Sequence, residues 1–130
     1  MEKLINWSDE YSICPMIDEQ HKKLIDIINE LFFALMEGKA CVSIENIIKE
    51  LHDYTVYHFS TEEKMFEEKN YEFTEEHKAE HTFFVNKIKE FRERFNVQDS
   101  ALFFDIMNFL KDWLLNHIAI MDKKYSFICN

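Results

Sequence analysis

Residues 56–66 read VYHFSTEEKMF, and the fold is decided by how this stretch continues the one before it. Upstream, Ile44, Ile47, Ile48, Leu51 and Thr55 recur at the spacing of one helix face. The same face carried forward reaches His58 and then, four residues on, Glu62. Residues four apart share a helix side. The stripe therefore ends by aiming an imidazole and a carboxylate where the core should be.

Three other blocks behave in the same way. Leu24, Ile25, Ile28, Leu31, Phe32 and Leu35 form one stripe, and the inward position before them is His21. Phe84, Ile88, Phe91 and Phe95 form another, which runs back to His81 and His77. Leu102, Ile106, Phe109, Leu110 and Trp113 form the last, which runs forward to His117. The spacing predicts helices over 18–37, 43–67, 74–95 and 100–120, with Asp18, Ser43, Thr74 and Ser100 as N-caps and Gly38 closing the first helix. Residues 1–17, with Trp7 and Pro15, read as an arm laid over a bundle spanning about 18–122, in a single domain of 130 residues. Short gaps make consecutive helices antiparallel neighbours, so the expected class is all-α, an up-down-up-down four-helix bundle. One Gly and one Pro in the whole chain argue against a sandwich or barrel.

In that topology the starts of the first and third helices meet the ends of the second and fourth. His21, His77, His81, His58, Glu62 and His117 then share one end of the bundle. Five imidazoles and a carboxylate are costly in an oily core unless bonded. A metal site accounts for them, and His with carboxylate in a bundle suits iron, manganese or zinc. Glu63 is a local rival to Glu62 but points about 100° away. Asp122 is the nearest acidic residue able to complete the set. It lies five residues after His117, about 140° off the stripe on a regular helix, so its participation requires the helix to end or widen between 117 and 122. Seven ligands exceed what one first-row ion takes. Two ions bridged by the carboxylates, with the imidazoles split three and two, would leave one open position where a small molecule binds. His52 is about 120° off the stripe and reads as structural. No Glu lies three residues before a His, which removes the Glu-x-x-His di-iron oxidases.

The remaining composition excludes other classes. A net charge of −10, from 25 acidic and 15 basic residues, repels nucleic acid and anionic membrane surfaces. No apolar run reaches the ~20 residues of a membrane span, and MEKLINWSDE is no signal peptide. Cys14, Cys41 and Cys129 are odd in number and lack a C-x-x-C pair, so they read as free thiols in a reducing cytoplasm, with an intermolecular disulfide as the alternative.

IDEQHKKL (17–24), HFSTEE (58–63), HKAEH (77–81) and HIAIMD (117–122) together resemble the four ligand motifs of the hemerythrin family, in family order and over nearly the whole chain. The short single-domain form is similar to the bacterial hemerythrins. The resemblance implies a non-haem pair of iron ions with a bridging oxo or hydroxo group, bridged also by Glu62 and Asp122. It implies His77, His81 and His117 on one iron and His21 and His58 on the other, which keeps the open site. It further implies an apolar ligand pocket of Leu24, Phe59, Trp113, Leu114 and Ile118. The function implied is reversible O2 binding, for storage, delivery or scavenging. A di-iron reductase of O2, peroxide or nitric oxide, served by an outside redox partner, and an O2 or redox sensor are the alternatives that the same site would support. Chain length favours the binding protein, since no signalling domain is fused to it.

Overall fold

The computed structural model describes residues 3–38, 41–94, 100–118 and 122–129. Its long elements are α1 (Pro15–Met36), α2 (Cys41–Glu68), α3 (Thr74–Arg94) and α4 (Ser100–Asn116), followed by a 3-10 turn (Asp122–Tyr125) and a short α5 (Ser126–Cys129). No strand occurs among the described residues. α1 packs on α2 and α4, and α3 packs on α2 and α4, which is the expected antiparallel four-helix bundle.

The buried positions follow the stripes. On α2 they are Ile44, Ile48, Leu51, Thr55, His58, Phe59, Glu62 and Phe66. On α3 they are His77, His81, Phe84, Ile88 and Phe91, alternating four and three apart. Each fully buried Leu, Ile or Phe contributes about 1.5–3 kcal/mol relative to exposure, so these faces dominate the stability. Phe95 and residues 119–121 lie outside the described residues.

Helix ends differ from the sequence reading in physical detail. α1 starts at Pro15, whose missing N–H suits the first helical turn, so Asp18 is not its N-cap. Asp18 instead reaches back, accepting from the Ile13 N–H at 2.7 Å and the Ser12 hydroxyl at 2.6 Å. Ser43 lies inside α2 rather than before it. Gly38 does close α1: its φ is +67°, a conformation that glycine adopts without a Cβ clash, and its N–H bonds the Leu35 carbonyl. Asn70, at φ 52°, does the same after α2.

The N-terminal arm is clasped onto the bundle. Asn29, buried on α1, receives the Ile5 N–H at 2.9 Å and donates to the Ile5 carbonyl at 2.8 Å. Ile5 itself is buried in the main core. One expectation fails here. Cys14, the buried residue that precedes α1, is disulfide-bonded, with its partner outside the described side chains. Nothing in the spacing of three cysteines shows a pairing. The correction also removes the thiol argument for a reducing compartment.

Candidate metal centre

The four stripes deliver their polar ends to one place. His21, His58, Glu62, His77, His81, His117 and Asp122 are all buried, none more than 2% exposed. Their ligand atoms fall into three overlapping groups able to hold a metal ion: His21, His58, Glu62 and Asp122; Glu62, His81 and His117; and His77, His117 and Asp122. All seven sequence candidates are thus brought together, while His52 pairs with Asp53 on the surface side of α2.

Asp122 arrives by the irregularity that its spacing demanded. α4 ends at Asn116, and His117 and Ile118 occupy a wide π-type turn. The 3-10 turn that follows begins at Asp122 and returns its side chain to the core. Wide turns of this kind re-aim side chains without ending the chain's progress along the bundle.

The two carboxylates sit between the imidazoles. Asp122 Oδ1 lies 3.0 Å from His77 Nε2 and 3.1 Å from His117 Nε2, and Asp122 Oδ2 lies 3.0 Å from His21 Nε2. Glu62 Oε1 lies 3.1 Å from His58 Nε2 and 3.3 Å from His81 Nε2. Burial and the charge of Asp122 push the Glu62 carboxyl up, but the imidazoles of His58 and His81 outweigh them and hold it below the usual carboxylate range. Burial likewise pushes Asp122 up, and His117, His21 and His77 together hold it well below.

The residues fit a metal. The Nε2 atoms of His21, His58, His81 and His117 are buried without a hydrogen-bond partner, although each lies beside a carboxylate oxygen. Such orphaned atoms are destabilising unless a ligand satisfies them. Two donors each about 2.1 Å from one ion, at right angles, stand about 3.0 Å apart, close to the observed nitrogen–oxygen separations.

Apolar layers close the cluster on both sides. Toward the bundle middle lie Leu24, Phe59, Trp113, Leu114 and Ile118, all buried members of the main core. Phe59 stacks on His81 with ring centres 3.9 Å apart, and Trp113 stacks on His117 at 4.3 Å. Toward the bundle end, Ile13, Cys14, Ile17, Phe66, Tyr71 and Tyr125 form a second buried cluster.

Two polar residues that the sequence reading left aside, Tyr125 and Gln20, touch the site, as does Glu63, which it set against Glu62 as a ligand. Tyr125 donates its hydroxyl to Glu62 Oε2. Burial, then the charges of Glu62 and Asp122, push its phenol well above the usual value, so it remains a donor. Gln20 Oε1 lies 2.7 Å from His58 Nδ1, and Glu63 Oε2 lies 2.8 Å from His81 Nδ1. The signal for the last two was position: each is the immediate neighbour of a ligand candidate, one step around the helix.

Comparison with known proteins agrees with this geometry. The family model described as the hemerythrin HHE cation binding domain matches residues 13–126. A bacteriohemerythrin of Pseudomonas aeruginosa (strain LESB58) is 36% identical over 120 residues, covering 92% of this chain and 77% of that protein. The bacteriohemerythrin of Clostridium acetobutylicum is 30% identical, covering 92% of this chain and 96% of its own. A crystal structure of wild-type hemerythrin superposes with a TM-score of 0.82 at 28% identity, covering 96% of this chain and 97% of that one. No helix among the described residues is long and apolar enough to cross a membrane. With the motifs in order, the ligand groups converged and the fold shared, the chain belongs to the hemerythrin family.

Proposed function

We propose that this protein binds O2 reversibly at a carboxylate-bridged pair of iron ions. The observation that carries the reading is the apolar wall of Leu24, Phe59, Trp113, Leu114 and Ile118 on the inner side of a seven-residue histidine and carboxylate cluster. In the proposed centre, His77, His81 and His117 would hold one ion and His21 and His58 the other, with Glu62 and Asp122 shared between the two. When bound, a pair of ferrous ions supplies the electrons that O2 borrows on binding and returns on release.

The protein's part is to hold and to exclude. Five imidazoles from α1, α2, α3 and the turn after α4 fix the ion positions against a rigid core. The two-histidine half keeps a coordination position for a ligand. The apolar wall offers a small uncharged molecule a dry approach and denies water and anions the contacts that they need. Tyr125 anchors one oxygen of Glu62, which restrains that carboxylate while ligands enter and leave.

The test is iron content together with an optical spectrum, taken reduced under nitrogen, after admitting O2, and after removing it. Two irons per chain, with bands that appear with O2 and vanish on its removal, are expected. Two irons that pass directly to a stable di-ferric spectrum would replace this reading with the reductase or sensor. A protein without iron would overturn the assignment altogether.

A further inference from the structure

We infer that Gln20 and Glu63 are positioning residues that make the two halves of the metal centre electronically unequal, with the richer half being the one that has no open position. The inference rests on the di-iron reading above and adds a direction to it.

The geometry is paired. His58 and His81 each present Nε2 to the same oxygen of Glu62, at 3.1 and 3.3 Å. With Nε2 turned inward as a ligand, each ring carries its proton on Nδ1 and donates it outward. His58 meets Gln20 Oε1 at 2.7 Å, and His81 meets Glu63 Oε2 at 2.8 Å. The distances are nearly equal and the acceptors are not: one is a neutral amide, the other a carboxylate. His21 and His77 have no Nδ1 partner among the described residues, and the nearest carboxylate to His117 Nδ1 is Glu80 at 4.0 Å. The contrast between Gln20 and Glu63 is therefore the main outer difference between the halves.

A charged acceptor makes a hydrogen bond about twice as strong as a neutral one. It draws the Nδ1 proton outward, makes the ring a better electron donor, and favours the more oxidised state of the ion behind it. Glu63 does this for His81, on the three-histidine half. Gln20 orients His58 equally well without enriching it. The half that keeps the ligand position is thus the harder one to oxidise outright, which is what reversible binding needs. The Glu63 carboxylate borders an open groove of about 180 Å³ between α2 and α3.

The experiment compares wild type with Gln20→Glu and Glu63→Gln. Q20E should autoxidise roughly tenfold faster or more, within the range that outer-shell changes produce, and lower the midpoint potential. E63Q should raise the potential. A merely structural role would move both variants the same way, and that result, or no shift in either, overturns the inference. Where a variant loses iron, the zinc-loaded protein is read by proton NMR instead. The His81 Nδ1 proton should lie downfield of that of His58 in the wild type, and Q20E should move the His58 proton downfield. Equal positions in the wild type, or an unmoved His58 proton in Q20E, would overturn the inference. Wild-type iron stoichiometry and O2 spectra, measured alongside, separate failure of this inference from failure of the di-iron reading.

Discussion

Tyr125 hydrogen-bonds Glu62 across a sequence separation of 63 residues, and neither residue has any solvent exposure. The phenol is held by Phe66 and Tyr71 rings 4.9 and 6.3 Å away, so it cannot swing to another acceptor without opening the second cluster. Tyr125→Phe keeps the ring and removes only the donor. A hydrogen bond to a buried charged group contributes about 1.5–3 kcal/mol, so the variant should lose stability on that scale and release iron faster. Urea midpoints and iron release to a chelator measure both. Unchanged values would show that the hydroxyl does not restrain Glu62.

His77 sits one helical turn before His81 and contacts Asp122 Oδ1 at 3.0 Å. On the proposed coordination, His77→Ala removes one of three imidazoles from its half of the centre. Iron should be lost from that half, and metal analysis should fall below two per chain. Retention of two irons would refute the ligand assignment.

Leu114 is 1% exposed and belongs to the inner apolar wall. Leu114→Ala should cost about 2–5 kcal/mol as a core cavity and also admit water toward the open position. Decay of the oxygenated spectrum should accelerate. A decay rate equal to that of the wild type would mean that Leu114 does not guard the site.

Asn29 lies eight residues beyond His21 on α1 and holds the arm through both polar groups of Ile5. Asn29→Ala leaves a buried N–H and a buried carbonyl unpaired, at roughly 1–3 kcal/mol each. Denaturation should show a loss of a few kcal/mol with iron stoichiometry intact. Loss of iron at full stability would invert this account and tie the arm to the centre.

The bundle and most of the cluster were legible because each functional side chain occupies a position that apolar periodicity had already assigned to the core. His58, His77 and His81 need no irregular backbone to point inward. Asp122 rested mainly on family resemblance: its five-residue spacing from His117 showed that a wide turn would be needed, and the π-type turn at His117 and Ile118 supplies it. Tyr125 was missed because it lies beyond the last long helix, where period carries no information. Gln20 was missed, and Glu63 was weighed only as a rival ligand to Glu62, because off-stripe polar residues look like solvated surface until the ring behind them is placed. Cys14 shows the limit of spacing: a disulfide depends on the three-dimensional meeting of two segments.

The return of Asp122 from the turn after α4 bears on when the protein can be loaded. During synthesis, a nascent chain that has completed α1, α2 and α3 already carries His21, His58, Glu62, His77 and His81. It lacks His117, Asp122 and Tyr125, so one shared carboxylate and the anchor of the other are still missing. The cluster of seven side chains is therefore incomplete until α4 and the turn beyond it have been made, and a chain arrested after α3 would hold only five of them.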